Sequence, residues 1–260
     1  MKWYRIITHL VVSVLLISCA VFRPTRELEI TPADKANEVR DLLSVLETKN
    51  ASLRNFKGVG NIKISQKADF YLDQRVAWVA ERPVKLSIAV LVSGYPAIKL
   101  ATDGEWLYYL ETRGSQTEFK KIRANDPSLK NIISIPISTS DIVKLLAGCI
   151  PLPEFDAVDF FKEEATRGFV LILKEKWWGI RQKIFYDENE PRIYRIDVFQ
   201  RSGGLLYRAE IDHIQKLGEF EVPFRLKLSA DNGSHFQLDV DRCWVNINLP
   251  DSAFVLTPPE

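Results

Sequence analysis

Few residues in this sequence could build an active site or hold a metal ion. Histidine and cysteine occur three times each among 260 residues. No Cys-x-x-Cys spacing is present, and beyond the N-terminal segment the histidines are His213 and His235 alone, which argues against a zinc site. The motifs Gly-x-Ser-x-Gly and His-Glu-x-x-His are also absent. We therefore predict a protein that is not an enzyme and that needs neither a metal nor a cofactor.

An excess of charge of one sign is likewise missing. The sequence holds 35 lysine and arginine residues against 34 aspartate and glutamate residues. This balance provides no electrostatic surface for nucleic acid and no basic patch for anionic lipids. After the apolar run at residues 6–17 no second long apolar run follows, so we expect the rest of the chain to fold as a soluble, tethered body.

The N-terminus carries a compact signal. Lys2 and Arg5 precede the apolar run, which ends in Leu16-Ile17-Ser18-Cys19. About a dozen apolar residues are too few to cross ~30 Å of hydrocarbon. The segment resembles a bacterial lipoprotein signal, in which a peptidase cuts before the cysteine and that cysteine then carries acyl chains. The alternatives are an uncleaved signal anchor and an ordinary secretory peptide.

The resemblance implies a signal peptide at residues 1–18, lipidation of Cys19, and a lipidated tether over residues 19–31. Removal of residues 1–18 takes away two basic residues and no acidic one, so the mature chain has a net charge near −1. No aspartate follows Cys19, because Ala20 and Val21 stand there. By the sorting rule of enterobacterial lipoproteins, this implies an outer-membrane location facing the periplasm.

The remaining pattern predicts a mainly β domain over residues 32–260. Thr31-Pro32 is typical of a helix start, and apolar residues at helical spacing extend that helix to about Lys49. From Phe56 onward the period is two, with about eleven strands in total. Two predicted helices, 126–134 and 138–147, interrupt the strands, and Ser138 is the expected cap of the second. A change of face near Asp241-Arg242 predicts a β-bulge.

Three stretches, together with this order of elements, resemble the LolA/LolB family of periplasmic lipoprotein carriers. They are the opening strand 55–60, the apolar helix 141–148 with Pro151 behind it, and the closing segment 245–254. The resemblance implies a strongly curved, incomplete antiparallel β-barrel with a helical lid over a cavity that holds acyl chains. Lipidation favours the LolB branch, whose members are outer-membrane lipoproteins.

The resemblance also implies where the site lies. The helix around Ile142–Leu146 would be the lid, with Gly148 and Pro151 bounding it. The loop matching the membrane-insertion loop of LolB offers Leu91, Val92 and Tyr95, although Leu91 and Val92 could equally end a buried strand. The predicted cavity lining comprises Leu86, Ile88, Val90, Ile98, Leu100, Leu107, Ile142, Leu145 and Leu146. Strand parity leaves open which face looks inward.

The function implied is transfer of acylated lipoproteins or related amphiphiles to the outer membrane by a monomer that receives them from a soluble LolA-like carrier. The alternative is an envelope scaffold or stress sensor on the same fold, with the cavity filled by its own side chains. Cys149 and Cys243 could form a disulfide or remain buried thiols. Trp177-Trp178 could anchor at a lipid interface or cover a strand edge, and the pattern favours the edge.

Overall fold

The strands form one continuous sheet. The computed structural model describes residues 28–66, 70–163 and 168–259, so the predicted signal peptide, Cys19 and most of the predicted tether lie outside the described residues. The described part contains fourteen strands in the order β1-β8-β9-β10-β11-β12-β13-β14-β2-β3-β4-β5-β6-β7. Their bounds are β1 Glu29–Thr31, β2 Asn55–Gln66, β3 Phe70–Glu81, β4 Lys85–Val92, β5 Tyr95–Thr102, β6 Trp106–Arg113, β7 Gln116–Arg123, β8 Ala157–Glu163, β9 Gly168–Glu175, β10 Gly179–Asp187, β11 Arg192–Phe199, β12 Leu205–Leu217, β13 Phe220–Ser229 and β14 Ser234–Val245.

The predicted fold class is confirmed, with more strands than expected. All neighbouring pairs are antiparallel except β1 and β8, which run parallel. The open, curved sheet with few helices is an incomplete barrel. Strands β1 and β8 were not predicted. Strand β1 is only three residues long and pairs with a strand more than a hundred residues away. No hairpin turn marks such a pairing in the sequence.

The fold begins earlier than the predicted boundary at residue 32. Thr31 is the last residue of β1, whose Ile30 is buried, and Leu28 packs against the core. Thr31 is therefore not the helix cap that the sequence predicted. A 3-10 turn at Ala33–Lys35 follows Pro32 instead, and the α-helix begins only at Ala36.

Three α-helices lie in the described part of the chain: α1 Ala36–Thr48, α2 Lys130–Ile133 and α3 Thr139–Leu146. Helix α1 ends where the sequence predicted and buries Val39, Leu43 and Leu46 on one face. The apolar strand side chains that these helices cover, among them Ile62 and Leu226, belong to the same core. None of the described helices has the length and apolar character that crossing a membrane requires.

Two glycines of the opening strand make room for its neighbours. A Cβ at Gly58 would lie 2.2 Å from Cζ2 of Trp78, so the glycine lets the indole lie across β2. A Cβ at Gly60 would lie 2.2 Å from the backbone oxygen of Asp239. The register of β14 against β2 shifts between Val240 and Arg242, which confirms the predicted bulge. The motif at 55–60 is thus a packing motif.

The last described residues close the domain. After β14, the Asn246 backbone N–H donates to the Asn55 carbonyl at 2.7 Å, and the Asn246 side chain accepts from the Arg54 N–H at 3.1 Å. A 3-10 turn at Asp251–Phe254 then buries the Phe254 ring.

The two cysteines of the described domain are both free thiols. Cys149 is buried and Cys243 is half-buried, so the alternative of a disulfide between them is wrong.

Candidate functional site

An apolar cavity lies between the sheet and helices α2 and α3. Its volume is about 70 Å³, and every one of its fifteen lining side chains is apolar. Ten come from five adjacent strands and five from α2, α3 and the residue before α2. The lining consists of Ile62, Ile64, Val76, Trp78, Ile88, Val90, Ile98, Leu100, Leu129, Ile132, Ile133, Ile142, Leu146, Phe236 and Leu238. A cavity so lined stays dry and accepts only apolar groups.

Six of the nine predicted lining residues border this cavity: Ile88, Val90, Ile98, Leu100, Ile142 and Leu146. The other three do not. Leu86 and Leu145 are fully buried in the core, and Leu107 packs against the core without reaching the cavity. Leu145 lies elsewhere because α3 is buried on several faces, so residues next to each other on the helix contact different parts of the interior.

Nine of the lining residues were not predicted from the sequence, including Trp78, Ile62 and Phe236. The register explains their position: Trp78 lies opposite Ile88 and Val76 opposite Val90, so they share the inward face. The available signal was Gly58, which lies opposite Trp78 and leaves space for its ring. Strand parity alone could not show this, because it gives faces within a strand and no pairing between strands.

The segment from Asp126 to Ser138 folds as a compact loop around the short helix α2. The predicted helix 126–134 is reduced to Lys130–Ile133, since the Asp126 carboxylate accepts hydrogen bonds from the Ser140 N–H and hydroxyl, both at 2.7 Å. Leu129 donates its N–H to the Ile137 carbonyl at 2.9 Å. The Ser138 hydroxyl accepts from the Asp141 N–H at 3.1 Å, which confirms the predicted cap of α3.

Two contacts hold α2 to the sheet at its C-terminal end. The Ser134 hydroxyl donates to the Gln66 side chain at 3.1 Å, and the Asn232 side chain donates to the Ser134 carbonyl at 2.9 Å. The remaining contacts of α2 are apolar, through Ile132 and Ile133 into the cavity. Of the four residues of α2 only Ile133 is buried, whereas α3 buries five of its eight residues.

Helix α3 is fixed at both ends. At its C-terminus the Asn50 side chain donates to the carbonyls of Ala147 and Glu221, at 2.7 and 2.8 Å. Near its N-terminus the Tyr207 hydroxyl donates to the Asp141 carboxylate at 2.9 Å. Tyr207 is fully buried on β12. Burial raises the pKa of the Asp141 carboxyl above its ordinary value of 3.8, and burial together with Asp141 raises the pKa of Tyr207.

The raised pKa of Asp141 gives a testable pH dependence. A carboxyl whose pKa is higher in the folded state binds its proton more tightly there, so its contribution to stability is complete below pH 3.8 and is lost as pH rises through the raised value. The free energy of unfolding of the wild type minus that of Asp141→Asn should therefore fall as pH rises from about 4. Urea titrations at several pH values measure it, and a constant difference would contradict the assignment.

A wider groove lies beneath α1. Its volume is about 450 Å³, and its walls mix apolar residues such as Leu42 and Ile214 with charged ones such as Lys49 and Glu221. This mixture distinguishes the groove from the dry cavity under α2. Because an acyl chain offers nothing to the charged groups, the cavity is the better candidate for an apolar ligand.

The predicted insertion loop forms the turn between β4 and β5. Tyr95 is 79% exposed and Val92 is 43% exposed, whereas Leu91 is half-buried on the outer face of the sheet. Trp177 and Trp178 form the turn between β9 and β10 and are 80% and 45% exposed. The interpretation of Trp177-Trp178 as a covered strand edge is therefore wrong. The two tryptophans are exposed for the same reason as Tyr95, because each lies at a tight turn that projects beyond the strands.

His213 lies on the surface beside the Asp212 carboxylate, with 3.0 Å between Nδ1 and Oδ2. Within the described ranges, no group of three histidine, cysteine or acidic side chains is placed to hold a metal ion.

Fold and cavity together define an incomplete barrel with a dry interior site. No protein-family model matches the chain, and no curated protein matches it. Solved structures do share its fold. A LolA superfamily protein from Nitrosomonas europaea, 14% identical, is similar over 82% of this chain and 97% of that chain with a TM-score of 0.51. A DUF1329 family protein from Desulfovibrio piger, 11% identical, is similar over 84% and 96% with a TM-score of 0.56.

These likenesses confirm the LolA-type fold that the sequence predicted. They do not separate the LolB branch from other members with that fold. At identities of 14% and 11% they carry no assignment of ligand or partner.

Proposed function

We propose that the protein is a lipid-anchored acyl-chain carrier of the LolB type at the outer membrane. It binds the acyl chains of lipoproteins or related amphiphiles in the cavity under α2 and passes them to the membrane. The observation that supports this most strongly is the uniformly apolar lining of a cavity covered by a four-residue helix in which only Ile133 is buried. A protein that only packed its core would gain nothing from leaving such a space, because voids destabilise a core.

The cavity must enlarge before it can hold a ligand. Its 70 Å³ is well below the ~300–1,000 Å³ typical of ligand sites, so the described conformation is the closed one. We propose that α2, whose Ile132 is only half-buried, separates from β14 and β5, while α3 and the fully buried Ile135 and Ile137 of the flanking loop stay in place. Helix α3 buries Val143 and Leu145 completely, so we propose α2 as the moving part of the lid in place of α3, which the sequence had suggested. A charged residue at position 145 would unfold the protein rather than impair binding alone.

Opening exposes apolar surface that the ligand then covers again. Each Å² of apolar surface removed from water stabilises the complex by roughly 25 cal/mol, so a chain that contacts both the sheet and the displaced α2 offsets the cost of opening. The direction of transfer would follow from the difference in affinity between this cavity and that of the donor. The donor we propose is a soluble LolA-like carrier, and the acceptor is the outer membrane to which Cys19 anchors the protein.

The small closed volume also favours a second candidate function. A scaffold or stress sensor on the same fold would keep the cavity filled and never open it. The two differ in one property, since only the carrier takes up an acyl chain in water. A fluorescent fatty acid titrated into the unlipidated chain from residue 20 onward should bind at micromolar concentration if the carrier proposal is right. Failure to bind would favour the scaffold.

A filled cavity should lose this binding. Ile98→Trp places a large ring into the cavity from its half-buried margin, and we expect fatty-acid binding at least about tenfold weaker, equivalent to ~1.4 kcal/mol. Overpacking costs about 1–3 kcal/mol of stability, which urea denaturation would report. The matched control is Lys99→Trp, one residue along β5 on the opposite face, which should bind like the wild type. Equal binding by both variants would contradict the proposed site.

A further inference from the structure

The antiparallel order places five described turns at one end of the sheet. From β9 to β7 in sheet order every neighbour is antiparallel, so the connections that follow β4, β6, β9, β11 and β13 all lie at the same end. The β4–β5 turn carries Tyr95 and the β9–β10 turn carries Trp177 and Trp178. We call this end of the sheet the aromatic end. The opposite end holds the C-terminus of α1, joined through Asn50, and the end of β14.

The tryptophans are held outward by the turn itself. The Trp178 N–H donates to the Glu175 carbonyl at 2.9 Å, and Gly179 adopts a φ of 72° that completes the reversal. The Arg201 guanidinium lies 4.9 Å from the centre of the Trp178 ring, which keeps a cation beside the indole. At 80% exposure, Trp177 is available to bind outside the domain. A large apolar side chain presented on a rigid turn is costly to leave in water.

The N-terminal segment enters the fold at the aromatic end. Strand β1 is parallel to β8, and β8 is antiparallel to β9, so β1 begins where β9 ends. Glu29 of β1 pairs with Ala157 of β8, and Ala157 pairs with Lys174 of β9. Lys174 lies two residues before Lys176, which begins the tryptophan turn. Leu28 is the ninth residue after Cys19, and nine residue steps span at most about 30 Å. An acyl anchor on Cys19 therefore keeps the aromatic end within that distance of the bilayer.

We infer that the aromatic end is the membrane-facing surface of the protein, and that Trp177 and Trp178 insert into the bilayer interface as a contact separate from the β4–β5 turn. Indole rings prefer the headgroup level of a bilayer, where the ring is apolar and the N–H stays solvated. The near-neutral net charge of the mature chain gives it little overall attraction to an anionic surface, so we assign its orientation to aromatic residues. The inference rests on the proposed lipid anchor.

This orientation also brings the cavity close to the membrane. Helix α2 is attached at Ser134 to Asn232, which belongs to the β13–β14 turn at the aromatic end. When α2 separates from the sheet, the cavity opens near the surface that contacts the lipid. An acyl chain would then pass from the cavity to the bilayer without crossing bulk water, which is where its exposure is most costly.

Quenching of tryptophan fluorescence by brominated lipids tests the inference on the lipidated full chain. The protein would be reconstituted into vesicles of phosphatidylcholine and phosphatidylethanolamine, prepared with and without brominated acyl chains. We expect quenching in the wild type and loss of more than half of it in a Trp177→Phe, Trp178→Phe double variant. Trp244 supplies the control, because it is 41% exposed and lies near the C-terminal end of β14, at the end of the sheet opposite the aromatic end. Trp244→Phe should leave the quenching unchanged.

A second variant tests the β4–β5 turn on the same surface. Tyr95→Trp in the double-variant background should restore quenching, since Tyr95 lies at the same end of the sheet. Quenching that is insensitive to the double variant, or that Trp244→Phe removes, would overturn the inference, and so would absence of the protein from the vesicles. The carrier proposal is judged separately by fatty-acid binding, which should be the same in the double variant and the wild type. If neither the wild type nor the double variant binds the fatty acid while the quenching pattern is as expected, the carrier proposal is rejected and the membrane-facing surface stands.

Discussion

Replacing Cys19 by serine should abolish acylation and with it the stable attachment of the protein to the membrane. Each buried methylene contributes about 0.8 kcal/mol, so three acyl chains hold a protein essentially permanently, and no described helix could replace them. The apolar run at residues 6–17 is too short to serve as a permanent anchor. We expect either an unprocessed precursor or a soluble periplasmic protein. Intact-mass measurement and fractionation of membranes would distinguish these forms from the wild type.

Cys243→Ser is the matched control for this substitution. Cys243 is a half-buried free thiol whose pKa burial raises to about 11, so it is poorly nucleophilic and takes no part in anchoring. The control protein should keep its acyl mass and its place in the membrane fraction. A wild-type mature protein that begins at any residue other than a modified Cys19 would contradict the account of the anchor.

Gly148→Ala should cost at least about 3 kcal/mol of stability, because the added methyl group meets both backbone strain and a steric overlap. Gly148 has a φ of 73°, and an added Cβ would lie 2.1 Å from the backbone oxygen of Glu221. The same Cβ would lie 2.9 Å from the Asn50 amide nitrogen that joins α1, α3 and β13. Glu221 cannot withdraw, because its strand is paired with β12. A lower urea midpoint with unchanged slope would measure the loss.

Gly218→Ala separates backbone strain from overlap. Gly218 also has a positive φ, of 64°, but nothing lies within 4 Å of the Cβ that alanine would add. We expect about 1–2 kcal/mol for the left-handed conformation alone. If the two alanine variants lose equal stability, the contact between Gly148 and Glu221 does not constrain the end of α3 as described.

The sequence predicted those parts of the fold that depend on local periodicity. The alternation from Phe56 onward, the Ser138 cap and the bulge after Val240 are all present in the structure. Strand β1 could not be predicted, because three residues paired in parallel with a distant strand leave no local pattern. Helix α2 was predicted too long because the Asp126 carboxylate binds Ser140, a tertiary contact that no helix propensity contains.

The candidate site was likewise predicted only where its residues follow a local periodic pattern. Ile88 and Ile98 were found because each alternates regularly along its strand, whereas Trp78 required the register between β3 and β4. Leu145 was misplaced because a helix apolar on several faces can be either lid or core, and only its complete burial shows that it is core. The exposure of Trp177 follows from its position in a turn, which the residue type alone does not reveal.

The most direct test of the carrier proposal is photo-crosslinking with a fatty acid that bears a diazirine near the end of its chain. Irradiation of the complex with the unlipidated chain, followed by peptide mass spectrometry, locates the acyl chain. Our account predicts adducts on lining residues of the closed cavity, such as Ile88, Ile133 and Phe236, and their loss in Ile98→Trp. Adducts confined to the groove beneath α1 or to the exposed tryptophans, unchanged by Ile98→Trp, would contradict it.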